Sequence, residues 1–218
     1  MNETQGGTRV IDVVSDVVCP WCYIGKRRLD AALARLDGPR PQVHWHPFQL
    51  NPDLPPEGVD RRSYLEAKFG GARRAAEIYA RVRDAGASVG IAFELDRIER
   101  QPNTLTAHRL IGWAQSHGDA GPLVERLFRG YFCEGAYIGD AAVLERLAAE
   151  AGFDGDAAAA FLASDAGVEE VAGADRRARE LGISGVPLFI FNQRVAVSGA
   201  QEPETLLAAL AQSEAETT

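Results

Sequence analysis

The amino-acid sequence predicts an α/β fold in which one sheet is interrupted by a helical insertion. Three observations carry this reading: a β-α-β pattern opens the chain, a β-β-α pattern closes it, and the long stretch between has helical periodicity. The expected division is a sheet-bearing domain from 8–53 and 182–213, with an all-helical domain inserted at 54–181. Connections are short and neither end can bury a core alone, so insertion is expected rather than two tandem domains.

The first run, "TRVIDVVSDVV", is rich in β-branched residues and predicts a strand at 9–15. Trp21, Ile24, Leu29, Leu33 and Leu36 then recur at helical spacing, predicting an amphipathic helix that stops before "DGPRP". "QVHWHPFQL" predicts a second strand at 42–49, and Phe48 and Leu50 are expected to share its core-facing side. A β-α-β start of this kind makes a parallel pair. "NPDLPPEG" breaks the pattern, and six helix candidates follow, separated by glycine or proline. In one of them Leu123, Val124, Leu127, Phe128, Tyr131 and Phe132 form a single apolar stripe. "VPLFIFN" and "RVAVSG" then read as a hairpin. A last helix has Pro203 in its first turn, and the polar end "SEAETT" is expected to fray.

Composition narrows the function. The 218 residues are 46% hydrophobic, enough for a sizeable core, and the formal net charge of −8 argues against nonspecific nucleic-acid binding. All but two of the 23 basic side chains are arginine, the exceptions being Lys26 and Lys68. Most lie beside acids at helical spacing, so the bias reads as composition rather than phosphate recognition. The start "MNETQGGTRV" has no basic segment followed by an apolar one, and no run of eighteen apolar residues occurs, so a cytoplasmic protein without a membrane partner is expected.

The chemistry concentrates in "SDVVCPWCYIGKRRLD", which holds two of the three cysteines. Cys19 is expected at the helix start with Cys22 one turn on, so that the two sulfurs can bond with little backbone movement. Pro20 suits the first helical position, where its missing N–H has no partner to lose. Unpaired amides and the helix dipole favour a thiolate at Cys19. A preference of about 2.7 kcal/mol for the anion makes thiolate the major species at neutral pH. Cys19 is therefore the expected attacking nucleophile and Cys22 the less accessible resolving thiol. Zinc is the competing use of a CxxC, with His44 and His46 as the other donors, but no ribbon or finger spacing accompanies them, and no metal is expected. Two inert core thiols are the blander reading. Pro187, entering an apolar strand after "SGV", is a candidate cis peptide.

Together these segments resemble the DsbA-like family of thioredoxin-fold disulfide oxidoreductases, in its FrnE-like branch. The resemblance rests on "DVVCPWCYIG", "PFQLNPDLP", "PNTLTAHRL" and "SGVPLFIFN…AVSGAQ". It implies a thioredoxin fold with an inserted helical domain, and a cis Pro187 against the two sulfurs. It also implies that Val186 offers its backbone to an extended substrate. The implied activity is thiol–disulfide exchange or isomerisation on a protein or small molecule. No cofactor is implied beyond the redox-active disulfide, with a low-molecular-weight thiol as co-substrate and an unidentified reductant or oxidant as partner. A homodimer is among the expected assemblies. Two other functions stay open. One is a glutathione-dependent isomerase or transferase of the 2-hydroxychromene-2-carboxylate isomerase or kappa type, where serine typically matches Cys19; the other is a non-catalytic polypeptide-binding protein.

Other residues carry two readings each. Asp16 is either a turn residue or a carboxylate that raises the thiol pKa and relays a proton. Trp21 is expected at the rim of a substrate groove. Asn103 and His108 belong to an inserted helix that the resemblance places over the site, with His108 read as structural. Lys26 is read as a solvated helix residue. Cys133 is either a small buried residue or a third redox thiol. The Pro-Trp pair between the cysteines has no histidine, so the expected potential is less oxidising than the roughly −120 mV of periplasmic DsbA.

Overall fold

The computed structural model describes residues 9–215. Strand β1 (Val10–Ser15), helix α1 (Pro20–Leu33) and strand β2 (Gln42–Pro47) form the opening β-α-β unit. The closing unit is β5 (Leu188–Phe191), β6 (Val195–Ser198) and α9 (Pro203–Ala215). They build one sheet of order β2-β1-β5-β6, with β1 and β2 parallel and the other neighbours antiparallel. Ile11 pairs with Phe191 and Val14 with Leu188, which brings the two ends of the sequence together at the centre of the sheet.

Between β2 and β5 lie β3 (Val59–Asp60), α2 (Arg61–Phe69), α3 (Ala72–Ala87) and β4 (Arg100–Gln101). Helices α4 (Leu105–His117), α5 (Gly121–Glu134), α6 (Ala141–Glu150), α7 (Gly155–Leu162) and α8 (Val168–Glu180) complete the insertion. It is helical except for a short 3-10 turn and a two-stranded ribbon in which Val59 pairs with Gln101. Two residues per strand are too few to leave a period-2 pattern in the sequence.

The apolar stripe of α5 is fully buried and meets α1 through Tyr23, which stacks on Phe128 with ring centroids 5.1 Å apart. Such contacts fasten the insertion onto the first helix. Burial of β1 departs from simple alternation because both faces of the sheet are covered near its C-terminal end. Val13 enters the main core, whereas Val14 joins Phe48 and Ala178 in a second cluster under α8. At the edge of the sheet, Gln115 of α4 accepts from the Trp45 amide at 2.5 Å and donates to the Trp45 carbonyl at 3.0 Å. An edge strand so covered offers less to foreign strands.

Three expectations need correction. Strand β2 stops at Pro47, so Phe48 and Leu50 lie beyond it; Phe48 is buried by α8 rather than by strand alternation. Lys26 is not solvated: it is 5% exposed and its Nζ pairs with Asp30 at 2.7 Å and Glu125 at 3.0 Å. The start of "SEAETT" does not fray. Ser213 is buried in α9, and its hydroxyl accepts from the Asn192 side chain at 2.8 Å, while 216–218 lie outside the described residues. Asn192 and Gln193 have φ of 49° and 59°, the left-handed pair that a tight hairpin turn requires. Asn192 also accepts from the Val10 amide at 3.0 Å, stapling the turn to β1.

Candidate active site

The turn from β1 into α1 sets the site. The Cys19 amide donates to the Asp16 carbonyl at 3.0 Å, and Cys19 then caps α1 with extended backbone while Pro20 takes the first helical position. Antiparallel pairing of β1 with β5 carries the preceding loop to the same end of the sheet. The Val186–Pro187 peptide is cis there. The Cys19 thiol faces the Val186 carbonyl at 3.7 Å. Pro187 is buried against α1 at Gly25, where an added Cβ would lie 3.0 Å from the proline ring.

Both cysteines are free thiols and both are buried, Cys19 at 5% exposure and Cys22 at 2%. Their acidities nevertheless diverge. The Cys22 thiol donates to the Cys19 sulfur, and this is the largest influence lowering the Cys19 pKa. Burial opposes it, the Cys22 amide assists, the Asp16 charge opposes and the Trp21 amide assists. The Cys22 pKa is pushed well up, first by burial, then by its proton being held against Cys19 and by the Cys19 charge. The Asp16 amide and Ser15 hydroxyl only partly offset this. One proton is thus shared so that Cys19 ionises first. The helix-start amides expected from the sequence contribute, but less than the neighbouring thiol.

Asp16 is fully buried and fastens three segments. Its Oδ2 accepts from the Leu50 amide at 2.8 Å, its Oδ1 meets His108 Nε2 on α4 at 3.2 Å, and its carbonyl closes the Cys19 turn. The loop after β2 is latched as firmly. Gln49 donates through its amide to Asp175 on α8 at 2.8 Å and through its side chain to Asn103 at 3.1 Å. Asn103 in turn donates to the Leu54 carbonyl at 2.7 Å and accepts from the Leu105 amide at 2.9 Å, at the start of α4. The insertion therefore holds the cysteine turn in place from above.

Cys19, Pro20 and Trp21 open on a cavity of about 190 Å³ between α1, α2 and α3. Trp21 is 40% exposed and lies in its lining, while Arg61, Tyr64 and Tyr79 line its far side. Val186 and Pro187 are not among its walls. A second cavity of about 200 Å³, beside His108 and Trp45, contains neither cysteine of the pair. His44 and His46 turn to Asp12 instead, with His46 Nε2 2.7 Å from its carboxylate. Cys133 is half-buried at the end of α5, where burial raises its pKa. Sequence reasoning missed Arg61, which the insertion brings to the cavity and which no local pattern marks. His108, read as structural, is held by the Asp16 carboxylate.

A capping cysteine beside a second thiol, on a sheet built from the two ends of the chain and covered by an inserted helical domain, defines a thioredoxin-fold thiol oxidoreductase or isomerase. The chain belongs to the DSBA-like thioredoxin domain family, whose model matches residues 10–211. It is similar to the crystal structure of a probable DsbA oxidoreductase from Streptomyces coelicolor, with 32% identity and a TM-score of 0.86 over 96% of this chain and 92% of that one. An uncharacterized protein, YwbO of Bacillus subtilis, is 26% identical over 190 residues, 85% of this chain and 88% of its own length. A 2-hydroxychromene-2-carboxylate isomerase shares the fold at a TM-score of 0.69, 14% identical over 96% of this chain and 99% of that one. Among the described residues no helix is long and apolar enough to cross a membrane, and no group of three or more His, Cys, Asp or Glu is placed to hold a metal.

Proposed function

We propose that the protein exchanges disulfides through a Cys19–Cys22 dithiol/disulfide couple. The observation that carries this reading is geometric: Cys19 caps α1 one turn before Cys22, faces the Val186 carbonyl at 3.7 Å beside the cis Val186–Pro187 peptide, and opens on a cavity that Cys22 does not line. Cys19 thiolate attacks a substrate disulfide, forming a mixed disulfide and expelling one substrate thiolate. Cys22 then gives up its proton and attacks the Cys19 sulfur, which forms the internal disulfide and releases the second substrate thiol. The Trp21 rim guides the substrate, and the Val186–Pro187 loop offers backbone to an extended segment. Turnover in the cytoplasm, with a low-molecular-weight thiol returning the couple to its reduced form, fits a protein whose cysteines are otherwise sparse.

The test is a glutathione-buffered redox titration with thiol trapping and mass analysis. A loss of two hydrogen atoms' mass confined to the Cys19–Cys22 peptide, reversible at a defined potential below that of periplasmic DsbA, is expected. Failure of the pair to form at any glutathione ratio would favour the glutathione-dependent isomerase reading, which needs no resolving thiol. Binding of unfolded polypeptide unchanged by Ala at both cysteines would favour a non-catalytic role.

A further inference from the structure

The cavity at Cys19 has a charge pattern opposite to that of the whole chain. The protein carries 31 acids against 23 bases, yet the cavity is lined by two cations, Arg61 and Lys68, and by no aspartate or glutamate among the described residues. Lys68 is exposed at the mouth and donates to the Tyr64 hydroxyl at 2.7 Å. Arg61 is the unusual group. It is the first residue of α2 and only 3% exposed. Its guanidinium donates to Gln101 Oε1, to the Tyr131 hydroxyl at 2.7 Å and to the Tyr79 hydroxyl at 2.7 Å. All three acceptors are neutral. Among the described residues no carboxylate pairs with Arg61, and its Nε has no partner at all.

Of the other buried basic side chains, Lys26 is held between two carboxylates. Arg109, like Arg61, meets only neutral acceptors, the carbonyls of Ala166, Ser164 and Phe161, but it is not among the walls of the Cys19 cavity. A buried guanidinium without a countercharge is costly, and an anion that reaches it recovers much of that cost. Helices α2 and α3, strand β4 and helix α5 each contribute a residue to this one group, so it is a built feature of the insertion. Much of the remaining wall is apolar, including Leu65, Phe69, Ile78 and Val82, with Asn51 and Gln101 among its polar members. They suit the body of a small molecule, and the volume is too small for a folded chain.

We infer that Arg61 is the anchor of a substrate subsite for a carboxylate, so that the disulfide presented to Cys19 is a low-molecular-weight one with an apolar body and a single carboxylate on the arm that enters the cavity. This rests on the disulfide-exchange reading above. The carboxylate pairs with the guanidinium while the arm's sulfur meets Cys19 at the mouth. The balance is simple: one disulfide and the reduced protein give the Cys19–Cys22 disulfide and two small thiols, with both protein protons passing to the products.

The experiment is single-turnover oxidation of the reduced protein by two aromatic disulfides that release coloured thiols. Dithiobis(nitrobenzoate) carries a carboxylate on each ring, and dithiodipyridine carries none. Cys133→Ala serves as the background, so that only the pair reacts. N-acetylcysteine sets the intrinsic ratio of the two rates. The expected ratio of carboxylate to neutral reagent exceeds that of N-acetylcysteine by about tenfold or more, as for a charge-assisted pair. Arg61→Gln returns the ratio to the N-acetylcysteine value. Should that variant fail to fold, competition on the unsubstituted guanidinium decides: benzoate slows the oxidation, and benzamide at equal concentration does not. Rapid oxidation by both reagents at the N-acetylcysteine ratio, or equal inhibition by benzoate and benzamide, overturns the subsite and leaves disulfide exchange standing. Oxidation by both reagents no faster than N-acetylcysteine, with no internal disulfide formed, overturns both.

Discussion

Cys19 and Cys22 are the same residue type, three positions apart and almost equally buried, yet they occupy opposite sides of one proton transfer. Cys19 caps the helix and receives donors: the Cys22 thiol and the Cys22 and Trp21 amides. Cys22 lies within the first turn with its proton committed to Cys19 and little else to stabilise its anion. Burial raises both pKa values, but it is the first influence at Cys22 and only the second at Cys19, where the hydrogen bond from the Cys22 thiol outweighs it. The two are told apart by burial at one sulfur and by the donors facing the other. The same difference sorts their access: Cys19 borders a cavity, and Cys22 is not among that cavity's walls.

The largest effect expected from this asymmetry is kinetic. Cys19→Ser should reduce disulfide exchange by on the order of a thousandfold, about 4 kcal/mol in the barrier. Cys22→Ser should keep the first step and accumulate a mixed disulfide on Cys19, visible as an added mass. Equal loss of the first step in the two variants would erase the distinction between them.

Asp16 sharpens the comparison from a second direction. Its carboxylate serves the Leu50 amide and His108 in full burial, so Asp16→Ala should destabilise the fold by about 3 kcal/mol or more, measured by denaturant unfolding. Asp16→Asn keeps the volume and part of the hydrogen bonding, and should cost less. Because the Asp16 charge raises the Cys19 pKa, the Asn variant should move the Cys19 titration to lower pH. A shift upward would show that the carboxylate assists the thiolate, contrary to its position here.

Gly25 tests the wall behind the sulfurs. An added Cβ would lie 3.0 Å from both the Pro187 ring and the edge of Phe189. Gly25→Ala should therefore cost about 1–3 kcal/mol by overpacking, beyond the small helix-propensity gain. It should also slow exchange, since it separates α1 from the loop that brings Val186 to Cys19. Wild-type stability and rate would mean that this loop yields freely and does not hold the site.

The sequence made the cysteine end of the site legible and left its other end illegible, for a physical reason. Cys19, Pro20 and Cys22 follow one another across a strand-to-helix turn, where spacing alone sets geometry. Pro187 is marked by its place before a strand. Arg61 reaches the site only through packing of the insertion, and helical periodicity says which face is apolar, not which cation that face brings to a distant turn. The same limit explains Lys26. It reads as a surface residue on α1, but Glu125 of α5 covers it. Fold order was legible because strand and helix periods differ, whereas the β3–β4 ribbon was too short to carry any period.

The smallest effect concerns Cys133, which supplies a reference for the other two. It is half-buried on α5, and burial raises its pKa while Arg129 and Glu134 act in opposite senses. It has neither a donor thiol nor a helix-start amide, so it represents a cysteine whose acidity is set by burial first. Cys133→Ala should change stability by less than about 1 kcal/mol and leave exchange intact. Alkylation of the reduced protein as pH rises should then resolve three sulfurs. Cys19 should react with an inflection below the roughly 8.5 of free cysteine, and Cys133 and Cys22 should inflect above it. At pH 7 one fast equivalent is expected, and it should vanish in Cys19→Ser and persist in Cys133→Ala. A fast equivalent that follows Cys133 instead would mean that burial with weak charges activates a thiol here better than converging donors do, and the contrast between Cys19 and Cys22 would lose its cause.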